Sequence, residues 1–147
     1  MADYKAVVHY GGNDFFIGIS PGGHALTMET NGERGAAASP VELLLVALGG
    51  CMGSDIVDIL RKKRERITDY RIELHGERRA DFPRSWKTIR LHHVIKGDDI
   101  SEGAVKQAVE LSNTKYCSVA ATLRPTAEIL VTYEILQEQS ARGSAAS

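Results

Sequence analysis

Two cysteines, Cys51 and Cys117, are the residues of this 147-residue sequence best suited to chemistry. They lie 66 positions apart, which is too far for a CxxC redox or zinc motif, and two cysteines are too few for a disulfide scaffold. In a reducing compartment both are expected to be thiols unless a reaction oxidises them. Two interpretations follow: buried thiols that only pack, or a reactive pair.

The local sequence around the two cysteines differs. Cys117 follows Lys115 and is predicted to open a short helical turn, and both features lower the pKa of a thiol. Cys51 lies deep in a predicted helix with no charged residue within three positions. Its reactivity would therefore have to come from residues that are distant in the sequence. Both interpretations stay open at this point.

A central helix is the best-marked element of the sequence. Ser39, Pro40 and Glu42 supply an N-cap serine, a proline at the first helical position and the acceptor of a capping box. The helix is predicted to end between residues 63 and 66, in a basic last turn that suits its dipole. Residues 43–48 are apolar on every side, which predicts burial all round. We expect a partner chain to cover the remaining face in an intimate homodimer.

Glycines interrupt this helix at Gly49, Gly50 and Gly53. Each costs about 1 kcal/mol of helix propensity relative to alanine. We therefore expect another backbone or a ligand to approach the helix closely there.

The remaining patterns predict an α+β fold in the order βββ–α–ββ–α–β, with antiparallel sheets and a central buried helix. The predicted strands cover residues 4–10, 14–20, 24–30, 69–79, 86–96 and 126–136. A second helix over residues 101–116, capped by Ser101, is expected to break and restart near Cys117. We predict a single domain at residues 1–136 and a disordered polar tail at residues 137–147.

Composition and charge restrict the classes of molecule that this chain is expected to bind. A formal net charge of -1 gives no electrostatic reason to bind nucleic acid or an anionic membrane. The longest mostly apolar stretch, residues 41–51, is shorter than the roughly 20 residues that span a bilayer, and no secretory signal is visible. The five histidines have no metal-binding spacing, and nucleotide-binding and hydrolase motifs are missing from the sequence. We predict a cytoplasmic protein with no cofactor and no bound metal.

Two segments carry a resemblance to a known family, Ser39-Pro40-Val41-Glu42-Leu-Leu-Leu-Val-Ala-Leu-Gly-Gly-Cys51 and Lys115-Tyr116-Cys117-Ser118-Val119. Together they resemble the paired-cysteine signature of the OsmC/Ohr family of organic-hydroperoxide-reducing proteins. The stretch from Glu77 to His92 is similar to the branch called YhfA-like. The resemblance covers about residues 1–136.

The resemblance implies a swapped, intertwined homodimer with both active sites at the subunit interface. It implies that Cys51 attacks the O–O bond of an organic hydroperoxide and becomes a sulfenic acid. Cys117 then condenses with the sulfenic acid to a disulfide, and a dithiol reductant, a lipoyl group in some relatives, resets the pair.

Two charged positions depart from the family pattern. Relatives carry a glutamate directly after the helix-opening proline, whereas this chain has Val41 there and Glu42 one residue later, a turn of about 100°. Relatives also use an arginine from the N-terminal strands to stabilise the thiolate, and residues 1–30 contain none. Arg34 is the candidate substitute, with Glu42 as the candidate acid.

The leading hypothesis is a thiol-dependent peroxidase for apolar organic hydroperoxides, in which Cys51 and Cys117 cycle between dithiol and disulfide. The alternative is a non-catalytic or weakly catalytic family member that binds a small apolar ligand or senses redox state. A purely structural dimer is a third interpretation, but it leaves the two cysteine contexts unexplained.

Overall fold

The computed structural model describes residues 3–30 and 35–138. Its strands are β1 Val7–Gly12, β2 Phe15–Ile19, β3 Ala25–Glu29, β4 Arg66–Arg78, β5 Trp86–Asp98 and β6 Glu128–Gln137. Its α-helices are α1 Pro40–Lys62, α2 Glu102–Leu111 and α3 Ser118–Leu123, with a π-helical turn at Ser112–Tyr116. The predicted α+β class and element order are confirmed, with α3 as an added short helix.

The chain divides into two compact units between Val46 and Ala47. The single domain at residues 1–136 stays a prediction. Most of the tail predicted at residues 137–147 lies outside the described residues, as does Arg34. Its first residue, Gln137, belongs to β6.

The first unit holds an antiparallel meander in the order β1-β2-β3. The three predicted strands are confirmed, with β1 shifted to Val7–Gly12 and the other two each one residue shorter at both ends. Asn13 and Gly23 take positive φ in the turns that join them. The apolar side chains of this sheet stay largely in contact with solvent, with Val7 51% and Val8 58% exposed. Consecutive strand residues point to opposite faces, so both faces of β1 present exposed apolar side chains among the described residues.

The predicted capping box starts α1. The Glu42 backbone N–H donates to Ser39 Oγ at 3.2 Å, and the Ser39 N–H donates to Glu42 Oε1 at 3.0 Å. Pro40 is the first helical residue, as expected from its missing N–H and fixed φ. Two donors that the start of the helix would leave unpaired are thereby satisfied.

The second unit holds a sheet in the order β4-β5-β6. Strands β4 and β5 pair antiparallel, with Leu74 opposite Leu91 and Ile72 opposite His93. Strand β6 pairs parallel to β5, so the prediction of purely antiparallel sheets is wrong for this sheet. The reason is topological: the helical crossover between β5 and β6 returns the chain to the end of the sheet where β5 began.

The core of the second unit lies between this sheet and the helices. The helical spacing of Val105, Ala108, Val109 and Ser112 puts them on one face, and all four are buried. The first three belong to a core cluster with Ile56 and Leu60 of α1 and with Ile95 of β5. The predicted N-cap of α2 is also present, because the Ala104 N–H donates to Ser101 Oγ at 3.3 Å.

The helix glycines allow α1 to lie close to β4. A Cβ added at Gly49 would lie 2.9 Å from Leu74 Cδ1, and one at Gly53 would lie 2.9 Å from Ile72 Cδ1. The close neighbours are therefore side chains of the sheet, and the expected approach of a backbone or a ligand is wrong at these two positions. At Gly50, an added Cβ would have no described atom within 4 Å.

The first turns of α1 carry exposed apolar side chains. Among the described residues, Leu44 is 42% exposed and Val46 is 66% exposed, so the burial all round expected of this segment is not seen. By length and composition the whole helix could also cross a membrane, with a mean hydropathy of 1.9 in its most apolar window. A core helix of a soluble protein meets the same criterion, so the predicted cytoplasmic location and lack of a membrane partner stay predictions.

Candidate thiol site

The two cysteines meet in the second unit. Cys51 lies in the middle of α1, and Cys117 joins the π-helical turn to α3. The two sulfur atoms and a carboxylate oxygen of Asp55 all lie within 4.8 Å of one another. The break and restart predicted near Cys117 is what turns this thiol toward α1, since a continuous α2 would carry it past the site.

Cys117 is the buried member of the pair, with 4% of its surface exposed. It is the N-cap of α3, and the Ala120 N–H donates to its sulfur at 3.3 Å. Burial and the neighbouring Cys51 nevertheless raise the pKa of Cys117 to about 11. The lowered pKa expected from its local sequence is therefore wrong. The Lys115 ammonium lies 5.3 Å from the Tyr116 ring centroid, and it is not among the groups that shift this pKa.

Cys51 is the partly exposed member. Burial raises the pKa of its thiol, but hydrogen bonds from the Cys117 thiol, the Val119 backbone N–H and the Ser118 hydroxyl bring that pKa below its ordinary value. The Ser118 oxygen lies 3.9 Å from the Cys51 sulfur. These donors lie far along the chain, as the sequence argument required. Cys51 is thus the thiol that ionises first, and Cys117 is its hydrogen-bond donor.

Two members of the site, Asp55 and Ser112, were not predicted from the sequence. The Ser112 hydroxyl is buried and donates to Asp55 Oδ2 at 2.9 Å, and the Asp55 charge acts to raise the pKa of Cys51. Asp55 lies four residues after Cys51, so the two share one helix face, and this spacing could have identified it. The sequence could not identify Ser112 as a site residue, because its contact with Asp55 depends on how α1 and α2 pack.

Of the two predicted charged residues, one lies among the described residues and one does not. Glu42 is an exposed capping residue, and hydrogen bonds from the backbone N–H and then the hydroxyl of Ser39 lower its pKa. Arg34 lies outside the described residues.

A surface groove of about 430 Å³ leads to the Asp55 side of the site. Its lining combines charged groups and apolar surface, and consists of Asp55, Asp58, Ile59, Lys62, Leu111 and Tyr116. Such a lining can hold a small molecule with an apolar body and a polar end.

Alkylation as a function of pH is expected to separate the two thiols. Cys51 should react with iodoacetamide at lower pH than an ordinary cysteine, and Cys117 only in alkaline solution, because the thiolate is the nucleophile. Asp55→Asn removes the negative charge that opposes the Cys51 thiolate. The pH midpoint of Cys51 alkylation should therefore move to a still lower value. Peptide mass spectrometry after timed alkylation measures both sites. Asp58→Asn is the matched control, because Asp58 pairs with Lys62. Alkylation of Cys117 before Cys51 would contradict the assignment of Cys51 as the thiol that ionises first.

Comparison with known proteins gives consistent matches. The profile of the family described as OsmC-like protein matches residues 31–132. Protein YhfA of Escherichia coli (strain K12) is 42% identical over 122 residues, which cover 82% of this chain and 90% of YhfA. The crystal structure of a hypothetical protein from Aquifex aeolicus VF5 has a TM-score of 0.84 and 32% identity, covering 95% of this chain and 100% of that one. An organic hydroperoxide resistance protein OsmC from Legionella pneumophila has a TM-score of 0.66 and 17% identity, covering 91% and 98%, a likeness of fold alone.

Proposed function

The chain belongs to the OsmC family, and on that premise we propose that it is a thiol-dependent peroxidase that reduces organic hydroperoxides through Cys51 and Cys117. The observation that carries the proposal is the pair of neighbouring thiols with unequal pKa values, lowered for Cys51 and about 11 for Cys117. In a two-cysteine peroxidase one thiol attacks the peroxide and the other resolves the oxidised cysteine, and thiols with unequal pKa values suit these two roles.

In the first step the Cys51 thiolate attacks one oxygen of the hydroperoxide. A sulfur–oxygen bond forms, the O–O bond breaks, and the organic alkoxide leaves and takes up a proton to become an alcohol. Cys51 is oxidised to the sulfenic acid. The donors that favour its thiolate, among them the Cys117 thiol and the Val119 N–H, support this role.

In the second step the Cys117 sulfur attacks the Cys51 sulfenic acid, and a disulfide forms as water leaves. The Cys117 thiol is protonated at neutral pH and has to lose its proton on attack. That proton ends on the departing hydroxide, which leaves as water, and the Asp55 carboxylate, within 4.8 Å of both sulfurs, is proposed to relay it through a water molecule. An external dithiol then reduces the disulfide and is itself oxidised to a disulfide, which restores both cysteines.

An apolar organic hydroperoxide is the proposed substrate. The Legionella relative is named for resistance to organic hydroperoxides. The groove beside Asp55 offers apolar surface from Ile59, Leu111 and Tyr116 to the organic group. Arg34 and Glu42 stay candidates, on family resemblance alone, for the charge pair that supports the thiolate, and a cytoplasmic location supplies the reducing setting.

We propose further that the working form is a homodimer. Most of the exposed large hydrophobic side chains among the described residues belong to the first unit, including Val7, Val8, Leu44 and Val46. Large apolar side chains exposed in such number are typical of an interface. A second copy that covers it would supply the burial that α1 lacks within one chain.

The direct test is consumption of cumene hydroperoxide by the full chain with dithiothreitol or a lipoyl dithiol as reductant. Multiple turnovers are expected, faster with cumene hydroperoxide than with hydrogen peroxide, because the groove favours an apolar group. No consumption above the protein-free rate would overturn the proposal. A single stoichiometric oxidation without turnover would instead favour the alternative of a redox sensor.

A further inference from the structure

Three metal-ligating side chains meet at one point of the second unit, and two of them come from one helix face. Cys51 and Asp55 are separated by one turn of α1, and Cys117 approaches from the cap of α3. We propose that Cys51, Asp55 and Cys117 bind a thiophilic divalent cation of the Zn²⁺ class, with water as the fourth ligand. The proposal is independent of peroxide reduction.

The distances suit such an ion. Tetrahedral zinc with Zn–S bonds of about 2.3 Å holds two sulfur ligands about 3.8 Å apart. The three ligand atoms here already lie within 4.8 Å of one another, so small side-chain rotations bring them to binding distance. Two sulfur ligands favour a borderline-soft ion such as Zn²⁺ over Mg²⁺ or Ca²⁺, which prefer oxygen.

Neighbouring donors hold the ligands in position. The Ser112 hydroxyl donates to Asp55 Oδ2 at 2.9 Å, which leaves Oδ1 available for a metal. The Ala120 N–H donates to the Cys117 sulfur at 3.3 Å. Hydrogen bonds of this kind orient metal ligands and stabilise the charge of a bound thiolate.

The negative charge of the site also favours the binding of a cation. Among residues 3–30 and 35–138, no lysine, arginine or histidine forms an ion pair with Asp55. Two thiolates and a carboxylate would carry three negative charges, which a divalent ion offsets while it displaces the thiol protons. The groove of about 430 Å³ that Asp55 lines gives the ion a path of entry.

The experiment titrates Co²⁺, a spectroscopic substitute for Zn²⁺, into the full chain after reduction and removal of metals with a chelator. We expect one Co²⁺ per chain, with thiolate-to-cobalt charge-transfer absorption and visible bands of tetrahedral coordination. Added Zn²⁺ should displace the Co²⁺ and abolish both signals. Absorption without a thiolate charge-transfer band would overturn the proposal.

Matched carboxylate variants separate coordination from general attraction. Asp55→Asn keeps an acceptor for Ser112 and is expected to weaken Co²⁺ binding by at least about 10-fold, the lower end of the loss seen when a supporting group alone is removed. Asp69→Asn changes an exposed carboxylate of β4 that belongs neither to the cluster nor to the groove lining, and it should bind Co²⁺ like the unchanged chain. Equal affinities in the two variants would refute the role of Asp55. Circular dichroism of both variants checks that the fold is retained.

The Co²⁺ titration and the hydroperoxide assay test the metal site and the peroxidase proposal separately, so that either proposal can be contradicted without the other. Metal binding is measured without peroxide, and peroxide turnover is measured on metal-free protein. Turnover without Co²⁺ binding would remove the metal site and leave the peroxidase. Co²⁺ binding without turnover would leave a metal-binding dithiol protein.

Discussion

Cys51→Ser is expected to reduce hydroperoxide turnover to the background rate, a fall of about 1000-fold or more, as for other lost nucleophiles. Serine keeps the size of the side chain but remains protonated at neutral pH, so it cannot attack the O–O bond. Cys117 cannot substitute for the lost thiolate, because burial still raises the pKa of its thiol. The measurement is the steady-state consumption of cumene hydroperoxide with a dithiol reductant.

Cys117→Ser is the companion variant and has a different expected outcome. The first oxidation of Cys51 should still occur, more slowly because one hydrogen-bond donor to its thiolate is changed. Without a resolving thiol the sulfenic acid should accumulate and proceed to sulfinic and sulfonic acids, which mass spectrometry of the intact chain detects. Equal turnover in the unchanged chain and both variants would exclude catalysis by this pair.

Val46→Glu is expected to convert the proposed homodimer into monomers. Val46 is 66% exposed in the single chain, so glutamate costs little there. Within an apolar interface the same carboxylate would lose its hydration without a partner, at a cost of several kcal/mol. A cost of about 3 kcal/mol raises the dissociation constant by about 100-fold. Sedimentation velocity over a range of protein concentrations measures the change.

The control for this variant places the same charge on a polar surface. Gln107→Glu changes an exposed polar position of α2, in the second unit, and should leave the association state unchanged. A chain that already sediments as a monomer at micromolar concentration would contradict the dimer.

Local features of the fold were predictable because their physical causes lie within a few residues. The capping box is closed by Ser39 and Glu42, three positions apart, and the α2 face follows helical periodicity from Val105 to Ser112. The break before Cys117 was likewise visible in its polar sequence. The parallel direction of β6 was not, because alternation along a strand is the same whichever way its neighbour runs.

The sequence by itself therefore determined the α+β order, the central helix and the two cysteines that could react. Only the tertiary structure decided which of the two thiols ionises first. Sequence neighbours favoured Cys117, whereas the packing of α1 against the α2–α3 junction buries Cys117 and gives Cys51 its hydrogen-bond donors. Packing likewise brought Asp55 beside both sulfurs, since burial and contacts across 66 positions depend on how the elements assemble.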